Sequence, residues 1–213
     1  MADPTVKILR CFELAKRVNH YYWVHTPDGA SNMRVQNIER IISWMHGVRL
    51  PVQKWLVPYA DASFIRGVFE RYPDKLVIYI RDGQTPEWIR FTIVKELCHG
   101  LIDQPSDFSP KGQETIQGLI KYRGVHLGEL SSDVLQSEAL AEITALELIY
   151  PFEFRREDAA ALKAEKLKLG DLVKKREVPS VWIQRALNPD HIEACESFWK
   201  ALKDETPPPL QPL

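Results

Sequence analysis

One ten-residue stretch carries the side chains that could do metal chemistry. It runs from Arg90 to His99 and reads Arg-Phe-Thr-Ile-Val-Lys-Glu-Leu-Cys-His. Apolar residues in and after it recur at helical spacing, at Val94, Leu97, Cys98, Leu101 and Ile102. This periodicity predicts a helix with one buried face.

The charged residues of this helix stand almost as in a zinc peptidase. Such enzymes place two histidines four residues apart on one helical face, with a glutamate between them as general base. Here Glu96 and His99 occupy the glutamate and second-histidine positions, and Lys95 occupies the position of the first histidine. A lysine ammonium is positively charged at neutral pH and has no lone pair to give to a metal. The pattern indicates a zinc site that has lost one ligand.

A second helix, predicted from about Asp133 to Tyr150 and ended by Pro151, carries carboxylates among apolar residues. Glu138, Glu142 and Glu147 interrupt its otherwise buried pattern. A buried carboxylate needs a partner or a metal. The alternative is that Glu138 and Glu142, four residues apart, share a solvated face.

The rest of the N-terminal part predicts the elements that position the helix carrying Glu96. Helices are expected over 4–18 and from about Asn32 to Gly47, separated by a segment of aromatics and histidines over 19–29. Runs of β-branched and aromatic residues predict three strands, over 52–57, 63–69 and 76–80. We expect an α+β domain, in which a small antiparallel or mixed sheet packs on the helix that carries Glu96.

The C-terminal part reads as helical. Residues 153–177 are rich in charges of both signs, which is typical of a solvated helix surface. Residues 172–187 resemble a helix-turn-helix with Ser180 as a cap, and a last helix is expected over 189–202. We therefore divide the chain into a domain over 1–151, a helical extension over 152–203 and an extended proline-rich tail over 204–213.

Composition narrows the classes of function. The 213 residues are 45% hydrophobic and carry a formal net charge of -1, so bulk charge gives no reason to expect nucleic-acid binding. The three cysteines lie far apart, which indicates unpaired thiols in a reducing compartment. No run reaches the roughly 18 apolar residues that span a membrane. We expect a cytoplasmic protein.

The two motifs together, over about residues 35–190, resemble the ImmA/IrrE family of zinc peptidase-like proteins. The family pattern Arg-Phe-Thr-x-Ala-His-Glu-Leu-Gly-His is similar to residues 90–99, and its Glu-Leu-Leu-Met-Pro-like helix end is similar to residues 138–151. The resemblance implies a zincin-like domain, with His99 and Glu138 at zinc-ligand positions and Glu96 at the general-base position. It also implies a regulatory protease that acts on helix-turn-helix repressors, often those of mobile genetic elements or stress responses.

Lys95 changes that expectation. Its ammonium could replace the metal charge and pair with Glu138 or Glu96, so we expect a pseudo-peptidase that has no bound zinc and binds a regulatory, repressor-like or antitoxin-like protein partner. Two alternatives stay open. The chain could be an active zinc peptidase that recruits another ligand, such as His126 in the irregular segment 103–132, or a DNA-binding regulator that uses residues 172–187.

Overall fold

A computed structural model describes residues 4–25, 35–45, 51–58, 66–72, 74–102 and 133–202 of the chain. Within these ranges the chain is mostly helical and includes a three-stranded sheet, so the α+β class expected from the sequence is confirmed. The elements are α1 (Pro4–His25), α2 (Val35–Met45), β1 (Val52–Val57), β2 (Gly67–Arg71), β3 (Leu76–Arg81), α3 (Pro86–Ile102), α4 (Asp133–Ile149), α5 (Phe152–Lys163), α6 (Leu169–Arg176), α7 (Ser180–Ala186) and α8 (Pro189–Ala201).

The sheet is mixed and has the strand order β1-β3-β2. The central strand β3 pairs in parallel with β1, where Val52 lies opposite Leu76, and antiparallel with β2, where Gly67 lies opposite Ile80. The run of branched residues in β3 explains its central place, since both faces are largely buried. Strands β2 and β3 pack against α3, as the sequence predicted.

Helix α3 forms the centre of the molecule. Pro86 begins its first turn and Glu87 complements the positive end of the helix dipole. From Arg90 to Ile102 every residue except Lys95 is buried, because α1, α2, α4, β2 and β3 all pack around the helix. The burial therefore extends well beyond one apolar face, and it brings polar residues into the core along with the apolar ones.

The C-terminal helices pack into two hydrophobic clusters. Trp182 of α7 stacks on Phe91 of α3, with ring centroids 4.6 Å apart and planes 14° from parallel. At the other side, Phe198 of α8 stacks on Phe12 of α1 at 5.1 Å. Aromatic contacts thus hold α7 against α3 and α8 against α1.

Three expectations from the sequence were wrong. Helix α1 continues through residues 19–25, because Tyr22 extends the buried stripe of Cys11, Ala15 and Val18 by one more turn. Ser180 is not a cap, since Pro179 takes the N-cap position of α7 and Ser180 is its first helical residue. The charged segment 153–177 is not wholly solvated, as described below.

Several other expectations lie outside the described residues. These are the turn at 26–29, both ends of the helix expected from about Asn32 to Gly47, the first part of the strand at 63–69, the irregular segment 103–132 with His126, and the tail over 204–213. Among the residues that the structure does describe, no helix combines the length and the apolar character required to cross a bilayer.

The aromatic stack predicts a large cost for one substitution. Phe91→Ala would leave a cavity beside Trp182, and we expect it to lower the free energy of unfolding by about 3–5 kcal/mol. Urea unfolding followed by circular dichroism measures the loss. Trp55→Ala is the matched control, because Trp55 of β1 is 55% exposed and its removal should change stability little. Equal losses in the two variants would contradict the central place of the stack.

Candidate functional site

The four residues singled out by the sequence lie together where α3 packs on α4. Lys95, Glu96 and His99 come from α3, and Glu138 comes from the first half of α4. Lys95 and His99 are four residues apart, so they project from the same side of α3. The structure therefore brings all four predicted site residues into one cluster.

The ammonium of Lys95 lies between two carboxylates. Its Nζ atom donates a hydrogen bond to Glu138 Oε2 at 2.8 Å and forms an ion pair with Glu96 Oε1, also at 2.8 Å. Glu96 is almost completely buried and the Lys95 side chain is 13% exposed. Both pairings expected for Lys95 are confirmed, and the lysine charge stands between acidic groups that would otherwise repel each other.

His99 contacts α4 through both nitrogens of its ring. Nδ1 lies 3.2 Å from Ser137 Oγ, and Nε2 lies 3.1 Å from Glu138 Oε1. Both contacts join the His99 ring to consecutive residues of α4. Glu138 thus faces Lys95 with one carboxylate oxygen and His99 with the other.

These charges perturb the acid–base properties of the pair. Burial by itself would raise the pKa of Glu138, but Lys95 and then His99 outweigh burial and hold the pKa well below its ordinary value. Burial likewise disfavours the ammonium, yet Glu138 and Glu96 raise the pKa of Lys95 above its ordinary value. Lys95 and Glu138 therefore stay charged across the neutral range.

Strand β2 closes over the cluster at a glycine. A Cβ atom on Gly67 would lie 2.5 Å from Thr92 Cγ2 and 2.9 Å from Glu96 Oε1, which is closer than side chains tolerate. The lack of a side chain at Gly67 lets the strand approach α3, and it fixes the space in which the Glu96 carboxylate lies.

A zinc ion does not fit the cluster as these residues stand. Catalytic zinc keeps three protein ligands and an open position. His99 and Glu138 supply two, while the third position holds an ammonium that donates hydrogen bonds and cannot accept a metal. Cys98 gives no replacement ligand, because it is buried in the hydrophobic core. His126 lies outside the described residues.

No protein-family model matches the chain, and no curated protein matches it. The arrangement of the site therefore has to be understood from its own residues.

A second polar cluster, which the sequence reading did not find, lies between α4, α5 and α8. Glu147 pairs with the fully buried Arg155 at 2.7 Å and accepts a hydrogen bond from Trp199 Nε1 at 3.0 Å. Arg155 also donates to the carbonyl oxygen of Tyr150. The thiol of Cys195 and the ring of His191 complete the group, in which one ligand atom from each of Glu147, His191 and Cys195 lies within 4.8 Å of the others.

In the sequence, the feature that pointed to this cluster was Glu147, an acidic residue in an apolar helix. Its partner Arg155 lies in the segment whose mixed charges indicated a solvated surface. Asp158 and Arg176 of the same segment are buried too, and they pair at 2.8 Å. These residues are buried by contacts between helices, which local charge patterning does not report.

Several charged side chains of the helix pair at 172–187 contact other residues of the protein. Lys175 and Arg176 of α6 both pair with Asp158, and the Arg185 guanidinium lies over the Trp182 ring at 5.2 Å from its centroid. Trp182 and Ile183 of α7 face the core. Packing contacts thus account for these residues of the pair.

The turn between α6 and α7 is fastened to α3. Glu177 ends α6 in the left-handed region, at φ 52° and ψ 42°. Arg90 donates to the carbonyl oxygens of Arg176 and Glu177, each at 3.0 Å. These bonds offset the backbone strain at Glu177 and join the motif helix to the helix pair.

The close approach at Gly67 generates a prediction. Gly67→Ala forces β2 or Glu96 to move, and we expect a loss of about 1–3 kcal/mol in the free energy of unfolding, as for an overpacked core. Urea denaturation provides the measurement. Gly170→Ala is the matched control, because nothing lies within 4 Å of a Cβ at that helical position. The control should be as stable as the wild type or slightly more stable; a neutral Gly67→Ala would contradict the proposed fit.

The ion pairs generate a second prediction. Lys95→Met removes the ammonium but keeps the apolar stem, and leaves Glu96 and Glu138 without their cation. We expect a loss of about 3 kcal/mol at pH 7, at the low end for breaking a buried pair, because Glu138 keeps some exposure to water. Lys200→Met, in an exposed pair with Glu196, is the control and should change stability little.

The pH dependence of that loss follows from the two pKa shifts. The lowered pKa of Glu138 contributes stability above its ordinary value of 4.5, and this contribution is lost as pH falls. The raised pKa of Lys95 contributes stability below its ordinary value of 10.5, which is lost only at higher pH. The gap between wild type and Lys95→Met should shrink as the pH falls toward and below 4.5, since burial without the Lys95 charge raises the pKa of Glu138 in the variant. A gap that widens in acid would contradict the pairing.

Proposed function

We propose that this chain is a pseudo-peptidase with a zincin-like fold, of the ImmA/IrrE type. In this proposal the groove of the peptidase is kept for binding a regulatory protein partner, and hydrolysis is lost. The observation that carries the proposal is the position of the Lys95 ammonium, 2.8 Å from both Glu138 and Glu96.

The side chains of the two motifs meet in the structure, and this supports the proposal that the chain descends from a zincin-like peptidase. Glu138 lies about forty positions after Lys95 and His99 in the chain, yet the three side chains meet in one cluster. A two-histidine, one-glutamate zinc site requires this meeting. The mixed sheet packed on the motif helix is also what a zincin-like domain needs.

The chemistry of Lys95 supports the loss of hydrolysis. A peptidase zinc lowers the pKa of a bound water and polarises the substrate carbonyl, and a general base takes the proton of the water. In this site the charge on Lys95 can attract a carbonyl oxygen, but an ammonium cannot bind water as a Lewis acid. Glu96, the general-base position, is itself paired with that ammonium. The arrangement retains charge and shape without an activated nucleophile.

The class of partner follows from the resemblance. We propose a helix-turn-helix repressor or an antitoxin-like regulator, held without being cleaved. Co-expression of the chain with a candidate helix-turn-helix repressor tests this directly. The expected result is a complex that survives size-exclusion chromatography and contains intact repressor. Repressor fragments that depend on the wild-type chain would overturn the proposal in favour of an active peptidase.

Restoring the lost ligand provides the sharpest test. Lys95→His places imidazoles four residues apart on α3, facing Glu138, which completes a three-ligand site. After incubation with zinc and desalting, we expect about one more zinc per chain in Lys95→His than in the wild type, measured by elemental analysis. The comparison between the two proteins removes any contribution from metal bound elsewhere.

The control is Lys54→His, which introduces a histidine on strand β1 where Lys54 pairs with Glu39. It should bind no more zinc than the wild type. Equal zinc in wild type and in a folded Lys95→His would show that the cluster is not a modified metal site. The proposed zincin ancestry would then lose its main support.

A further inference from the structure

Three potential metal ligands meet at the junction of α4 and α8, away from the Lys95 cluster. Glu147 lies nine residues beyond Glu138 on α4, which places it about 13 Å farther along the helix. His191 and Cys195 lie one turn apart on α8. Cys195 Sγ is 3.5 Å from His191 Nε2 and 3.7 Å from Glu147 Oε1.

We propose that Glu147, His191 and Cys195 bind a divalent transition-metal ion of the zinc class. Zinc bonds of about 2.3 Å to sulfur and 2.0–2.2 Å to nitrogen or oxygen, at tetrahedral angles, hold such atoms about 3.6 Å apart. The two measured separations from Cys195 Sγ match that value. Thiolate, imidazole and carboxylate together are a donor set that zinc and cobalt accept.

The protonation states of His191 and Cys195 determine which protons must leave when the ion binds. Burial, with Arg155 and Arg185, lowers the pKa of His191 to about 4, so its imidazole is neutral and keeps a lone pair at neutral pH. Burial and Glu147 raise the pKa of Cys195 to about 12, so the metal binds as the thiol proton leaves to solvent. Metal affinity should therefore increase with pH. His191 is half-buried, which gives the site a route from solvent.

Two neighbours orient the carboxylate without filling all of its acceptor positions. Arg155 Nη1 lies 2.7 Å from Glu147 Oε1, and Trp199 Nε1 donates to Oε2. Each carboxylate oxygen has two lone pairs, so Oε1 can accept from Arg155 and still bind a metal. Hydrogen bonds of this kind hold ligating carboxylates in place. The positive charge of Arg155, 3.8 Å from Cys195 Sγ, opposes a second cation and should make the affinity moderate.

Cobalt(II) titration of the full, metal-stripped chain tests the proposal. Cobalt bound by a thiolate shows a near-ultraviolet charge-transfer band, which reports sulfur ligation and not metal content alone. We expect the band to saturate at about one cobalt per chain and to be displaced by zinc. Cys195→Ser should lose the band, while the control Cys98→Ala, which removes a core thiol, should keep it. A folded wild-type chain with no such band would overturn the proposal.

Trp199→Phe provides a variant that leaves every ligand in place. It removes the hydrogen bond to Glu147 and keeps most of the ring, and we expect cobalt affinity to fall about 10–100-fold, as for other loosened ligands. Glu193→Gln, an exposed change on the same helix, should leave the affinity unchanged. A band that persists in Cys195→Ser would assign the metal to a different site. These outcomes are independent of Lys95, so the proposal stands or fails separately from the proposed function.

Discussion

The Lys95 ammonium, held between the carboxylates of Glu96 and Glu138, is the interaction on which the centre of this molecule depends. Two carboxylates at the interface of α3 and α4 would repel each other and would lose most of their hydration. One buried cation offsets both effects. The packing of α3 on α4, the close approach of β2 at Gly67 and the contact of His99 with Glu138 all lie around this cation. A catalytic metal would meet the same electrostatic requirement with different chemistry.

At other helix junctions, too, buried charged groups are paired with groups of opposite charge or with carbonyl oxygens. Arg155 neutralises Glu147 and binds the carbonyl end of α4, while Arg176 neutralises Asp158. Arg90 holds the turn between α6 and α7 through two carbonyl oxygens. Each buried guanidinium joins two or more elements of the chain, and arginine suits this task because its planar group donates in several directions at once. Charge pairing thus gives the C-terminal helices their fixed positions beside an otherwise apolar core.

The sequence predicted what local patterns encode. The strand β3, the helices α3 and α4 and a small antiparallel or mixed sheet follow from periodicity, and the two motifs predict that Lys95 pairs with Glu138 or Glu96. The burial of Arg155, Asp158 and Arg176 did not follow, because a charge-rich segment has the same pattern whether its charges face water or each other. The end of α1 does not follow from the mixture of aromatics and histidines over 19–29, because only the packed structure shows that Tyr22 continues the buried stripe.

Under the proposed function, the exchange of a metal ligand for lysine explains how a fold of this kind can lose chemistry without losing structure. Lys95 keeps one positive charge among the acidic groups, so the electrostatic balance of the cluster survives. Its ammonium donates hydrogen bonds only, so neither water activation nor Lewis-acid polarisation survives. What remains is a shaped, charged surface, on which Glu138 is the most exposed of the paired groups at 28%. Binding a partner needs shape and charge but no activated water, and this is the physical reason for proposing a binding role.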